Sequence, residues 1–171
     1  AQKVAAELDA GDILLAKRTA IDPLEDAGQL YDRLAELGGQ AASEALDLLE
    51  RGEAPRTPQL YGSQYQYASM LSREMSPLDW TKPAKKLIDQ VRGLIPWPCA
   101  VTDVAGTRWK VFRARMGEIT GEAPGVILSA DKDGIAVACG DGRALVITEL
   151  QADGGRRMSA ADYLRGHPIR L

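Results

Sequence analysis

Apolar positions recur at helical spacing in two stretches of this chain and alternate along much of the remainder. Leu30, Leu34, Leu37, Ala41, Ala45 and Leu48 return every three or four residues. That period predicts a helix over 26–51, with Asp26 as its cap and Gly52 as its stop. Gly38-Gly39 lies inside it and is expected to break or kink the helix into two pieces. The stretch Leu78–Pro98 carries a shorter helical period. Ala84, Leu87, Ile88 and Val91 form one apolar stripe, Thr81 is placed to cap it, and Pro83 suits the first turn. Gly93 weakens this helix and Pro96-Trp97-Pro98 forbids its continuation.

The flanking segments read differently. Val4 and Leu8, the turn Asp9–Asp12 and the run Ile13–Ala16 predict a strand, a turn and a second strand over 1–20. Residues 52–77 hold Pro55, Pro58 and Pro77 among polar residues and three tyrosines, Tyr61, Tyr65 and Tyr67, with no sustained period. They read as an irregular linker. Residues 99–151 predict five short strands. Ala100–Val104 and Thr107–Met116 pair about Ala105-Gly106, Gly125–Ser129 ends at an Asp131–Gly134 turn, and Ile135–Cys139 and Leu145–Leu150 flank Gly140-Asp141-Gly142. Short strands separated by glycine turns argue for a small barrel or sandwich. Strict alternation along the second strand sets Lys110, Phe112, Ala114 and Met116 on one face, and Trp109, Val111, Arg113 and Arg115 on the other. In the tail, Ser159 and Asp162 make a capping-box-like start to a last short helix.

At 171 residues and 45% hydrophobic content, the chain is long enough for one ordinary domain or two small ones. No run approaches the roughly 18 apolar residues of a membrane span. No secretory signal pattern opens the chain. It begins at Ala1 in sequence that reads as ordered, so a fragment or processed product is expected. Cys99 and Cys139 belong to no metal-binding spacing and are expected to be buried free thiols, as suits a reducing cytosol; no metal site is expected.

Charge is divided unevenly. Residues 1–79 carry 7 Lys/Arg against 14 Asp/Glu, and residues 80–171 carry 14 against 10. A basic C-terminal part is compatible with a polyanionic partner. Lys82, Lys85, Lys86 and Arg92 lie off the apolar stripe of the second helix, and form either a solvated face or a phosphate-contact surface. Arg108, Lys110, Arg113, Arg115 and Arg143 on the strands could extend them into a basic stripe. Arg156 and Arg157 in the tail join the candidates. Trp109 reads as a packing residue rather than a base-stacking one.

Several motifs resemble one family. Asp79-Trp80, a short helix and Pro96-Trp97-Pro98 look like the start of the C-terminal domain of the methionyl-tRNA formyltransferases. Leu8-Asp9-Ala10-Gly11-Asp12-Ile13-Leu14 is similar to a catalytic-domain segment of the folate-dependent formyltransferases. Leu30–Gly38 is similar to the helix that closes that domain. Tyr67 and Leu71-Ser72-Arg73-Glu74 resemble the run before the family's Asp-Trp, and the tail segment Met158–Leu164 resembles its Met-Ser-Ala segment.

The resemblance implies an α+β chain. A small OB-like β-barrel with flanking helices would span 78–171, behind a linker at 53–77. Residues 1–52 would be the tail end of a Rossmann-like α/β formyltransferase domain. It also implies a role for Asp12, whose counterpart in the family is a catalytic carboxylate that orients a histidine. The family's Asn and His precede that segment, and this chain supplies neither; His167, its one histidine, matches no catalytic position. The chain is therefore expected not to catalyse by itself. The implied whole protein is a cytoplasmic enzyme, monomeric unless another chain supplies its first half. It moves a formyl group from 10-formyltetrahydrofolate to initiator methionyl-tRNA, and this part binds the tRNA. A sugar-nucleotide or folate formyltransferase relative and a non-catalytic structural module remain the alternatives.

Overall fold

The computed structural model describes residues 1–6, 10–59, 68–104, 106–169 and 171. Leu8, Asp9, the turn residue Ala105 and the linker tyrosines Tyr61, Tyr65 and Tyr67 lie outside the described residues. The chain forms two compact units, Ala1–Ser69 and Met70–Leu171.

The first unit is organised on one long helix, α1 (Ala27–Glu50). Its start is a reciprocal capping box. The Asp26 carboxylate accepts from the Gln29 amide at 2.9 Å, and the Gln29 side chain accepts from the Asp26 amide at 3.0 Å. Contrary to expectation, α1 runs unbroken through Gly38-Gly39. Glycine removes only a side chain; its amide and carbonyl still continue the helical ladder, at a cost of about 1 kcal/mol each relative to alanine. Arg33 reaches back to Glu25 and to the Ala20 carbonyl, and Lys17 pairs with Glu44 at 2.7 Å, tying residues 17–25 along the helix. The two strands expected over 1–20 reduce to single bridges: Ile13 pairs with Gln2 on one side and with Thr57 on the other.

The second unit is an antiparallel sheet with flanking helices. Its strands are β1 (Ala100–Val104), β2 (Thr107–Ile119), β3 (Ile127–Asp131), β4 (Gly134–Ala138), β5 (Arg143–Ala152) and β6 (Met158–Ser159). They run in the order β1-β2-β5-β4-β3, and β6 pairs with the other edge of β5's end. The two-residue β6 was not foreseen from the sequence. Helix α2 (Ala84–Gly93) lies over the sheet, and α3 (Ala160–Gly166) closes the chain. The apolar stripe of α2 is buried as its period requires: Ala84, Leu87 and Val91 join Trp109, Val111, Ile135, Val137, Leu145, Ile147 and Leu150 in one core. Trp109 is 1% exposed and meets Tyr163 of α3 edge-on at 5.4 Å, so its role is packing. Both cysteines are free and buried.

The start of α2 is held from a distance. Thr81 does not cap it; its hydroxyl donates to Asp79 instead. Pro83 occupies the cap position without a side-chain bond. The Ala84 amide is taken by the Asp141 carboxylate at 3.2 Å, across 57 residues. Beside it, the Gly140 amide donates to the Lys82 carbonyl at 3.1 Å. A Cβ on Gly140 would stand 1.7 Å from the Thr81 carbonyl oxygen, so only glycine permits this approach. Trp80 completes the clamp. Its Nε1 donates to the buried Thr102 hydroxyl at 3.2 Å.

Alternation along β2 is not strict. The β2–β5 register slips between Val111 and Arg113, then slips back between Arg113 and Ala114. Phe112-Arg113 on β2 faces Thr148-Glu149 on β5 at this level. Two residues therefore separate Val111 from Ala114 in the core, and Ile147 from Leu150. The pleat changes phase on both strands together, and the register before the kink is restored from Ala114 to Met116. Beyond this point Ala114 packs against the core, and Arg113 and Arg115 point to solvent.

Two substitutions test the clamp. Gly140→Ala should destabilise the chain by about 3 kcal/mol, at the upper end of over-packing costs. Asp141→Ala should cost about 1 kcal/mol as a lost cap. Urea unfolding measures both, and a Gly140→Ala midpoint equal to the parent's would rule out the close approach.

Candidate nucleic-acid interface

The outward positions of β1 and β2 and the segment before α2 border an open groove. Val101 faces Lys110 and Asp103 faces Arg108 across the β1–β2 ladder. Pro77 lies parallel to Val101, bracketed by Val101 N–H to Ser76 and Leu78 N–H to Val101, both at 2.8 Å. Arg73, Ser76, Pro77, Trp97, Arg108 and Lys110 line the resulting groove of about 460 Å³. A smaller hollow of about 100 Å³ continues it past Arg108 and Lys110 to Gln151 and the Asp153-Gly154 turn. Arg156 follows on that turn and is exposed.

Further along the same face, the shared kink of β2 and β5 builds a cation pair on one carboxylate. Arg157 grips Glu149 with two bonds, at 2.7 and 2.8 Å, and Arg113 approaches the same group at 3.3 Å. The Arg157 guanidinium also stands 4.3 Å from the centre of the Phe112 ring. Hydrogen bonding from Arg157 holds the Glu149 carboxyl below its ordinary value, against an opposing push from burial. Burial raises the Cys99 thiol, an effect that nearby Lys110 and Arg157 only partly offset.

The helix cations divide into two rows. Lys85 and Arg92 share a row with Asp89, and Lys82, ahead of the helix, lies near Asp79. Lys85 and Arg92 meet Asp89 at 2.6 and 2.8 Å, and Lys82 stands 3.9 Å from Asp79. Burial of Asp89 would raise its pKa, but the bonds from Lys85 and Arg92 prevail and lower it. Lys86 lies one turn before Gln90, whose amide donates to the Met75 and Pro77 carbonyls beside the groove. Among the described residues Lys86, Lys110, Arg143 and Arg156 have no carboxylate within ion-pair distance, whereas Arg108 pairs with Asp103 at 3.4 Å.

The sequence candidates thus do not form a single stripe. Arg73, Arg108, Lys110, Arg113, Arg156 and Arg157 share the β1–β2–β5 face, with Asp103, Glu149 and Asp153 among them. Arg115 lies about 17 Å beyond Lys110 along β2 at the usual strand rise, with its guanidinium 3.4 Å from the Asp133 carbonyl. Arg143 pairs with Ile119 at the far end of β2. Arg73 and Trp97 were not among the candidates read from the sequence. The signal was present in Trp97, a tryptophan held between two prolines, and it read as a helix terminator and as part of a family motif, not as a contact residue.

Asp12 belongs to the first unit, half-buried between Gly11 and Ile13. Its carbonyl accepts from the Lys3 amide at 3.0 Å. His167 stacks on Tyr163 at 4.4 Å between ring centres in the second unit. Among the described residues no three His, Cys, Asp or Glu side chains gather as a metal-binding group, and no helix is long and apolar enough to cross a membrane.

The depressed Glu149 carboxyl sets a pH dependence. Its folded pKa lies below its ordinary value of 4.5, so its stabilising contribution is complete above that value and disappears as pH falls through the folded pKa. Glu149→Gln should lower the melting temperature at neutral pH and reduce the loss of stability below about pH 4.5. A variant with an unchanged acid limb would contradict this assignment.

Residues 70–168 match the model of the family described as formyl transferase, C-terminal domain. A methionyl-tRNA formyltransferase from Trichlorobacter lovleyi is 44% identical over 164 residues, which are 96% of this chain and 51% of that protein. The chain thus spans about half the length of the curated relatives it matches. Among solved structures, HypX from Aquifex aeolicus in complex with tetrahydrofolic acid aligns with a TM-score of 0.65 and 25% identity, over 95% of this chain and 29% of that one. An N-formyltransferase from Helicobacter canadensis, in complex with folinic acid and dTDP-3-aminofucose, shares the fold at 13% identity. Its TM-score is 0.63, over 85% of this chain and 53% of that one. This chain belongs to the formyl transferase C-terminal domain family.

Proposed function

We propose that this chain is the C-terminal part of a methionyl-tRNA formyltransferase and that its second unit holds the tRNA backbone on the β1–β2–β5 face. The observation that carries the reading is the groove bordered by Arg73, Arg108 and Lys110, in which Lys110 has no carboxylate partner among the described residues. Relatives named methionyl-tRNA formyltransferase, 41–44% identical to this chain, favour tRNA over a sugar nucleotide as the substrate. The whole protein would be a cytoplasmic monomer that moves a formyl group from 10-formyltetrahydrofolate to the amino group of initiator methionyl-tRNA. Asp12 would orient a histidine contributed by the remainder of that protein, so this chain alone is assigned binding and not catalysis. No residue of this chain is assigned to hold the folate.

Cations on a sheet face fix an RNA by its phosphates. Each contact releases condensed counterions, so affinity falls steeply with salt and carries little sequence information. Cations already engaged with carboxylates add less, because their charge is largely compensated. Lys86 and Lys110 should therefore count for more than Lys85 or Arg92.

Filter binding of tRNA across a salt series tests this. Lys110→Glu should weaken binding several-fold and lower the slope of log K against log salt by about 1. Lys86→Glu should weaken binding more than Lys85→Glu, with melting temperatures nearly unchanged in each. If Lys110→Glu binds tRNA as the parent does at low salt, the backbone reading is wrong.

A further inference from the structure

The three tryptophans of this chain have different surroundings. Trp80 donates to Thr102 and packs beside Gly125, and Trp109 is enclosed by the core. Trp97 is 52% exposed and makes no ring or cation–π contact among the described residues. Its loop is nonetheless well anchored. Leu94 and Ile95 before it and Cys99 after it are buried, and the Cys99 amide donates to the Leu94 carbonyl at 2.9 Å, closing the base of the loop. Pro96 and Pro98 fix φ on both sides. A large apolar ring is thus presented to solvent from a fixed support, in the wall of the groove bordered by Arg73, Arg108 and Lys110.

We infer that Trp97 is a stacking platform for one unpaired nucleobase whose flanking phosphates are held by Arg73, Arg108 and Lys110. The inference rests on the RNA reading above and specifies the ligand: a nucleotide outside a duplex, at an end, bulge or loop. Base faces inside a helix are covered by their neighbours and cannot stack on a side chain. An exposed indole beside several cations matches the pairing of aromatic platform and basic groove by which proteins hold single strands. The groove, at about 460 Å³, falls within the roughly 300–1,000 Å³ of sites that enclose a small ligand. Stacking tolerates any base, so the site selects an unpaired nucleotide and not a sequence.

The test uses the full chain, short single-stranded oligoadenylate and an abasic oligomer with the same number of phosphates. Trp97→Ala should weaken oligoadenylate binding roughly 5- to 150-fold, the range of one lost stacked base, and leave abasic binding unchanged. Trp97→Tyr should restore most of the loss. Because Trp97→Ala could disturb the loop, quenching of tryptophan fluorescence gives a second readout. Oligoadenylate should quench the parent and not Trp97→Tyr, and the abasic oligomer should quench neither. If Trp97→Ala binds both oligomers as the parent does while Lys110→Glu weakens both, the platform is refuted and the backbone reading stands. If Lys110→Glu also changes nothing, both fall. Equal loss of oligoadenylate and abasic binding in Trp97→Ala, or equal quenching by both, would assign Trp97 to loop support or to another partner and would equally overturn the inference.

Discussion

The kink shared by β2 and β5 decides which side of the sheet carries charge. An unbroken two-residue period would place Arg113 and Arg115 on the face of Trp109 and Val111, inside the core. Burying two guanidinium groups there without partners would cost far more than the marginal stability of such a domain. The extra residue on each strand removes the conflict. Ala114 takes the inward place, and the arginines turn out. Since β5 kinks at the same level, the ladder regains its register within one step and keeps it through Met116↔Leu145, before a further shift at Ile119↔Arg143. The kink also leaves Arg113, Glu149, Arg157 and Phe112 side by side, which is how a local irregularity of pleating becomes part of a charged surface.

A second constraint fixes the wall of the groove opposite the sheet. The chain enters α2 through Asp79–Pro83, a single turn closed by the Lys82 amide on the Asp79 carbonyl at 3.0 Å. Its position is set by the Gly140-Asp141 turn and by Trp80 on Thr102. With the helix start held in this way, the apolar stripe lands on the core and Gln90 reaches the carbonyls of Met75 and Pro77. The exit from α2 then projects Trp97 next to the β1–β2 hairpin. Fold and candidate site therefore share supports, and loosening the Asp141 cap would disturb both.

Much of this was legible in the sequence because periodicity reports burial directly. The stripe Ala84–Leu87–Val91, the five longer strands and the capping role of Asp26 follow from spacing and from turn residues. What escaped the sequence was non-local. Thr81 is a plausible cap by type, but Asp141 wins the position because the β4–β5 turn arrives there in three dimensions. The kink at Phe112 leaves no glycine or proline to announce it. Gly38-Gly39 announces a break that does not occur, since neither residue lacks a backbone donor. Likewise, a count of lysines and arginines cannot show that Asp89 and Glu149 each hold two of them.

That pairing changes how the surface acts. A cation held by a carboxylate keeps its geometry and loses most of its long-range field, so Arg113 and Arg157 serve as positioned hydrogen-bond donors more than as sources of potential. Lys110, with no carboxylate within ion-pair distance among the described residues, contributes mainly Coulomb attraction, which reaches about 8 Å at physiological ionic strength. One face therefore combines short-range donors fixed around Glu149 with an uncompensated charge at the groove and an exposed ring beside it. A polyanion drawn to such a surface would meet fixed groups that restrict which backbone geometry could remain. This is also why the modest charge excess of residues 80–171 is a poor measure of binding capacity: the placement of a few unpaired cations matters more than the total.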